Sequence, residues 1–397
     1  MFQASIQLYK NAYSGIPRPI WWLSLVMFVN RSGTMVIPFL TIYLTTKGYT
    51  LTQAGLVMGA FGIGSVLGGY LGGRLTDKFG FYHVQFFSLF LNGIMFIVLG
   101  QMQTLTQYAV CIFVLSSVGE AFRPANAAAI ASYSDDSNRL RCYALNRLAI
   151  NLGWSIGPAV GGILASFNYS LLFWADGITC IAASAILLAV LSSGKKEKNA
   201  DIHSETITST SAYKDVIFMK GMFYLFLIAL SFFQLFSVIP AYYKNVLLLN
   251  EAAIGWILAM NGLLIAAFEM ILVYKLQNRG RTIAYITTGA LLIGFSFLFL
   301  ELGKAVPIAV AGMILVTIGE MFLFPFLNNF WVKRSTETNR GQYAAVYTMA
   351  FAAATVLAPT IATQIADRAG FTTLWAVDFL LCSFAALGFY SLKKKIT

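Results

Sequence analysis

The sequence is short of charge. Asp, Glu, Lys and Arg make up 11% of its 397 residues, where a soluble protein carries about one quarter. A soluble globular chain is thereby excluded. Cysteine is sparse too. Cys111, Cys142, Cys180 and Cys382 are scattered and form no C-x-x-C pair, which argues against a disulfide framework or a thiolate metal site. Histidine occurs only at positions 83 and 203, too few for His-rich metal chemistry. No G-x-x-x-x-G-K-[ST] phosphate loop is present, so ATP drive is not expected. No nucleophile–base set stands out, and an enzyme is not expected. The first 19 residues lack a short apolar run followed by a small-residue cleavage site, so no cleaved signal peptide is expected.

What is present is apolar. Hydrophobic residues are 58% of the chain and the mean hydropathy is +0.73. Twelve apolar segments, each long enough to cross a bilayer, fall at about 20–46, 52–75, 84–103, 107–132, 142–166, 170–192, 218–244, 252–275, 283–302, 305–331, 341–366 and 372–392, with boundaries good to a few residues. The expected fold is an all-α membrane protein of twelve transmembrane helices in two six-helix bundles. Residues 194–216 are polar and rich in Ser and Thr. They read as a linker between an N-terminal bundle, 1–193, and a C-terminal bundle, 217–397.

The net charge of +11 resolves into topology. With the N-terminus in the cytoplasm, 21 Lys and Arg residues fall on the cytoplasmic side and four (Lys47, Lys244, Lys304, Arg368) on the other. The remaining two, Arg31 and Arg123, fall within helices. This positive-inside bias predicts a multi-pass protein of the cell (inner) membrane with both termini cytoplasmic. It also removes the need for a nucleic-acid partner.

The two halves repeat. Gly119-Glu120-Ala121-Phe122-Arg123-Pro124 is echoed 200 residues later by Gly319-Glu320-Met321-Phe322-Leu323-Phe324-Pro325. Gly55, Gly62 and Gly80 match Gly255, Gly262 and Gly280 at the same offset, and Asn138-Arg139 and Pro158 match Asn339-Arg340 and Pro359 at 201. Ile37-Pro38 matches Ile239-Pro240, and Asp176 matches Asp378, at 202. Such register over six segments indicates a duplicated six-helix unit, with both copies in one orientation.

With these features in place, the chain resembles the major facilitator superfamily over essentially its whole length. The loop Gly73-Arg74-Leu75-Thr76-Asp77-Lys78-Phe79-Gly80 is similar to that family's G-x-L-a-D-r-x-G motif, although Phe81 and Tyr82 stand where basic residues are usual. Gly153-Trp154-Ser155-Ile156-Gly157-Pro158-Ala159-Val160-Gly161-Gly162 matches the G-x-x-x-G-P-x-x-G-G pattern of its drug:proton antiporter branch. The family's arginine early in the fourth helix is absent, with Leu115 in its place. The resemblance implies a gating role for Asp77, Gly73, Gly80, Gly157, Pro158 and Gly161. It also implies a contact from Asp77 to the start of the eleventh helix near Gly341.

The ionisable residues in the apolar segments are the candidate mechanism. A carboxylate at the centre of a membrane helix costs about 2.5–3.5 kcal/mol on insertion scales. Glu120, Arg123 and Asn126 recur at helical spacing, and Arg31 and Asn30 lie at about the same depth in the first segment. Arg31 is the expected partner of Glu120, as a coupling pair or as a permanent structural one. Glu320 has no basic residue in its own segment before Lys333, which suits a group that takes up and releases a proton. Asn328 extends the same region, and Phe122, Tyr242, Tyr243 and Phe324 are candidate aromatic walls for a hydrophobic cation. Asp176 and Asp378 are expected near the outer interface. The expected function is proton-coupled export of amphipathic or cationic small molecules by alternating access. Proton-coupled uptake of a peptide, sugar or organic acid is the alternative. The expected partners are a small-molecule substrate, protons and the lipid bilayer. No cofactor is expected, the proton gradient supplies the energy, and the working unit is a monomer.

Overall fold

The computed structural model describes residues 15–135, 138–191, 211–276, 279, 281–303, 305–336 and 339–393. Most of the expected linker, residues 194–210, lies outside them, as do Lys10, Lys195, Lys196, Lys198, Lys304, Lys394 and Lys395. The described residues are helical and contain no strand. In order they form α1 (Arg18–Ser32), α2 (Val36–Thr46), α3 (Leu51–Phe79), α4 (Phe81–Leu99), α5 (Leu105–Glu120), α6 (Phe122–Tyr133), α7 (Arg139–Phe167) and α8 (Ser170–Val190). There follow α9 (Val216–Phe232), α10 (Val238–Asn245), α11 (Glu251–Leu276), α12 (Thr282–Phe299), α13 (Val306–Arg334) and α14 (Arg340–Lys393). Among the described residues, 11 helical stretches are long and apolar enough to cross a membrane. The last is two helices joined at Gly370, whose φ of 86° is a left-handed conformation that favours glycine. Counting them separately gives the twelve spans of the sequence.

Three of the apolar segments are broken. The first divides into α1 and α2 at Gly33–Met35, the fourth into α5 and α6 at Ala121, and the seventh into α9 and α10 across a 3₁₀ turn, Phe233–Phe236. The fourth has an evident cause. Pro124 has no N–H to donate to the carbonyl four residues back, which is that of Glu120. Pro325 removes the matching bond to Met321 in the repeat, but there α13 runs on without interruption.

The chain divides into two compact units. One comprises residues 1–36 and 63–201, the other residues 37–62 and 202–397. Residues 37–62, which precede the linker in chain order, thus group with the C-terminal half. In the first unit α4 packs on α5 and α8, and α1 on α7 and α8. The approach of α3 to α5 runs along Gly64, Gly68 and Gly72. A Cβ on these residues would enter the backbone of Phe113, Ser117 and Ala121 in turn, so the four-residue glycine spacing is a helix contact. In the second unit α12 packs on α13 and α14, α11 on α13, and α9 on α14. Its 37–62 segment lies on the same helix α14: Thr52 donates to Asp367 at 2.7 Å, and a Cβ on Gly62 would sit 2.7 Å from the α-carbon of Val356.

The repeated Asn-Arg dipeptide marks a repeated turn. Asn138 Oδ1 accepts from the Asp135 N–H at 2.9 Å, and Asn339 Oδ1 accepts from the Thr336 N–H at 2.7 Å, in each case just before the next long helix starts. The second unit adds a charged clasp. Asp215 caps α9 through the Phe218 N–H and receives both a bidentate Arg334 guanidinium, at 2.8 and 2.9 Å, and the Tyr343 hydroxyl at 2.9 Å. It therefore ties together the start of α9, the end of α13 and the start of α14. Burial pushes the Asp215 carboxyl up. The bonds from Arg334, the Phe218 N–H and Tyr343 outweigh that and hold it below the usual carboxylate range.

A lowered native value means that the ionised clasp stabilises fully above the unfolded carboxyl value near pH 3.9, and that this stabilisation is lost as pH falls through the native value. Asp215→Asn is expected to lower stability at neutral pH by about 1–2 kcal/mol. The gap to the unsubstituted protein should close in acid. Thermal unfolding in detergent from pH 7 down to pH 3 measures both.

Candidate functional site

The polar groups inside the apolar segments form separate constellations in the two units. In the first, Glu120 pairs with Arg123 one helical turn on, Nη2 to Oε2 at 3.0 Å, with the glutamate side chain 17% exposed and the arginine 70%. This is the ion pair found for Glu120. Arg31, its expected partner, lies where the charges of both Glu120 and Arg123 act on it, and its Nε is buried without a hydrogen-bond partner. Asn30 donates to the Cys180 sulfur at 3.5 Å. Asn126 does not join the pair. It turns inward, accepting from Gln85 at 3.4 Å and donating to Asn146 at 3.2 Å, and all three are buried. Phe122 is buried in the adjoining apolar cluster with Ala125, Ala129 and Leu145.

The glycines of the α7 motif have a definite task in this unit. A Cβ on Gly153 would lie 2.5 Å from the Arg31 Cβ, one on Gly157 would lie 2.8 Å from the Thr34 carbonyl oxygen, and one on Gly161 would lie 2.9 Å from the Met35 Cβ. Gly153, Gly157 and Gly161 therefore form one face of α7 fitted to residues 31–35, where α1 ends and α2 begins. Pro158 sits inside the same helix. Of the loop residues, Asp77 is exposed in the last turn of α3 and Gly73 has open space around it. Gly80 has φ 80° as the cap of α4.

In the second unit Glu320 is half-buried in α13. The side-chain amide of Asn261, from α11, donates to Glu320 Oε2 at 3.0 Å and to Thr317 Oγ1 at 3.0 Å. Thr317 in turn donates to the Met313 carbonyl at 2.7 Å. Glu320 is thus held by an amide where Glu120 is held by a guanidinium. Sequence reasoning missed Asn261, although a lone asparagine in the run Ile254–Phe268 was the available signal. Phe324 is half-buried and stacks edge-on against Phe232 at 4.9 Å and beside Phe351 at 5.5 Å. Tyr347 continues this aromatic row at 5.0 Å from Phe351. Asn328 is exposed and accepts from the Trp331 indole at 3.0 Å. Tyr242 and Tyr243 are buried, and their hydroxyls donate to the carbonyls of Leu300 and Ala309. They belong to the packing of α10.

Asp176 and Asp378 differ most from expectation. Both were expected near the outer interface, yet they are 0% and 1% exposed. Each belongs to the sixth helix of its half and reaches the break in the first. Asp176 accepts from the Met35 N–H at 3.0 and 3.2 Å and from the Val36 N–H at 2.9 Å, so it caps the restart of the helix at α2. Asp378 accepts from the Ser231 hydroxyl at 2.8 Å and from the Gln234 amide at 2.7 Å.

Comparison with known proteins follows the same lines. The family model for the Major Facilitator Superfamily matches residues 21–359 and 249–395. A Na(+), Li(+), K(+)/H(+) antiporter of Planococcus maritimus is 25% identical over 393 residues, covering 91% of each chain. The multi-drug resistance efflux pump PmrA of Streptococcus pneumoniae is 23% identical over 184 residues, 45% of this chain and 46% of that one. Among solved structures, a POT family transporter in complex with 5-aminolevulinic acid superposes with a TM-score of 0.79 over 97% of this chain and 98% of that one, at 17% identity.

Asp176→Ala removes the acceptor of the Val36 N–H and one acceptor of the Met35 N–H, at a cost of about 1–3 kcal/mol. It is expected to reduce the folded, monodisperse fraction in size-exclusion chromatography. Asp176→Asn keeps a carbonyl acceptor and should recover much of that fraction.

Proposed function

The chain belongs to the Major Facilitator Superfamily, a family of membrane transporters and not of enzymes, and on that premise we propose that it is a proton-coupled exporter of amphipathic or cationic small molecules working by alternating access. The observation that carries this reading is the state of Glu320. It lies in a segment with no basic residue before Lys333, and it is held by the Asn261 amide. An amide can donate to an ionised carboxylate through its NH₂ and, after rotating, accept from a protonated one through its oxygen. Asn261 can therefore hold Glu320 in either protonation state, as proton uptake and release require. The Arg123–Glu120 pair suits the ionised state alone, and Glu120 is assigned a charge-balancing role. The half-buried Phe324 and its aromatic neighbours suit a hydrophobic cation through burial and cation–π attraction.

Three further lines support exchange over uptake. The α7 motif matches the antiporter pattern in full. A relative similar over nearly its whole length is a cation/H(+) antiporter, and one similar over part of its length is a drug efflux pump. The likeness to peptide transporters is at 17% identity and extends to the fold alone. The Lys and Arg bias supports a place in the inner membrane with both termini on the cytoplasmic side. The presence of both copies of the repeat in one chain supports a monomer as the working unit.

In proteoliposomes with an imposed pH gradient, a lipophilic cationic dye is expected to be moved against the proton flow. Glu320→Gln should lower this transport at least about tenfold, the loss of about 1.4 kcal/mol or more of coupling, while dye binding at fixed pH persists. A protein that ignores dyes and cationic drugs but carries a peptide or sugar with the proton gradient would overturn export. Unchanged proton-driven transport by Glu320→Gln would remove Glu320 from the coupling step.

A further inference from the structure

The two buried aspartates are repeat partners, yet they do different things. In the first half the carboxylate of Asp176 is taken up by the N–H groups of Met35 and Val36. At the 202-residue offset the matching donors would be those of Ser237 and Val238. The second half breaks its helix differently: a 3₁₀ turn spans Phe233–Phe236, and the Ser237 N–H is satisfied by the Gln234 carbonyl at 3.2 Å. Asp378 is relieved of capping. Its Oδ1 receives the Ser231 hydroxyl and the Gln234 amide, while Oδ2 has no hydrogen-bond partner among the described residues, and neither has the amide oxygen of Gln234. Asp378 is 1% exposed and Gln234 3%. Two acceptor oxygens, on side chains hydrogen-bonded to each other, are thus buried without a donor among the described residues.

No cationic side chain neutralises the group. Asp378 makes no ion pair among the described residues, and it is the only charged residue of 371–392. α12, packed against this helix through Gly294 and Cys382, has no charged residue at all. The single charge of α9 is Lys220, in its second turn. The Cys382 thiol one turn on is a titratable neighbour, and α10, packed on the same helix, brings Tyr242 against Trp375 and carries Lys244, which is paired with Glu251 at 2.7 Å. A water molecule could donate to both free oxygens but would leave the negative charge uncompensated, at a cost of several kcal/mol in such surroundings. Unwound backbone within a membrane helix, beside a carboxylate, is also a recurrent setting for small cations in transporters.

We propose that Asp378, Gln234 and Ser231 form a binding site for one small monovalent cation, a proton or Na⁺, in the second half of the protein and separate from Glu320. The cation supplies the missing charge between Asp378 Oδ2 and Gln234 Oε1. The Ser231 hydroxyl oxygen, whose proton points to Oδ1, keeps lone pairs for it.

The test uses purified protein in detergent in weakly buffered solution at constant ionic strength, with a pH-indicator dye. NaCl is added against choline chloride, and thermal unfolding is followed in parallel from pH 5 to 9. If Na⁺ and the proton share the site, NaCl releases up to about one proton per protein and raises the melting temperature by at least about 2 °C, while choline does neither. If the site takes the proton alone, NaCl is without effect but the unfolding temperature follows pH through an Asp378-dependent titration. Either response is expected to persist in Glu320→Gln and to vanish in Asp378→Asn. Gln234→Leu, which keeps the carboxylate, should weaken it at least about tenfold and serves if Asp378→Asn does not fold. Absence of both responses, or their survival intact in Asp378→Asn or in Gln234→Leu, overturns the proposal.

Discussion

A helix that breaks inside a bilayer strands backbone N–H and C=O groups where no water can reach them, and each must find a partner within the protein. The rest of this structure follows from how that demand is met. The first helix breaks at Gly33–Met35 and its counterpart breaks at Phe233–Ser237. In both halves a carboxylate from the sixth helix is brought to the break, buried to a degree that isolated charge does not tolerate. The glycine face of α7 closes round the first break from the other side. A motif that resembles a family signature is therefore, in this molecule, a surface cut to fit unwound backbone.

Each half then answers one chemical question twice. A glutamate in the middle of a membrane segment is held by a guanidinium in the first half and by an amide in the second. A buried aspartate meets backbone donors in the first half and side-chain donors in the second. In both cases the N-terminal copy meets a guanidinium or backbone N–H groups, and the C-terminal copy meets side-chain amides and a hydroxyl. The proposed proton coupling rests on the second setting of the glutamate, Glu320 held by the Asn261 amide.

Much of the fold was legible in the sequence. Apolar segments of bilayer length, the offset of about 200 residues and the four-residue glycine rows of α3 are one-dimensional patterns, and helices preserve such patterns. The site was less legible. Distance from the nearest loop suggests a shallow position for Asp176 and Asp378, but a side chain's burial depends on which helix it faces, and that is a tertiary fact. The first break had local signs in Ser32-Gly33-Thr34. Phe232 to Phe236 contains neither glycine nor proline, and the sign of the second break lies beyond it in Pro240, which has no N–H to donate to the Phe236 carbonyl. Pairing followed the same rule. Arg123 lies three residues from Glu120 in the same apolar segment and won over Arg31, which had to be brought in from another, and Asn261 was invisible as a partner until α11 and α13 were seen to pack.

The 3₁₀ turn at Phe233–Phe236 has a meaning for how such a molecule can change over generations. While a side chain must accept the N–H groups of a helix restart, its replacements are confined to those that keep an acceptor there. Once the Gln234 carbonyl accepts the Ser237 N–H, that backbone donor no longer needs Asp378, and the carboxylate is released to serve other partners. A four-residue tightening of the chain thereby converts a structural obligation into raw material for a new activity, and a second copy of the same scaffold makes the experiment survivable.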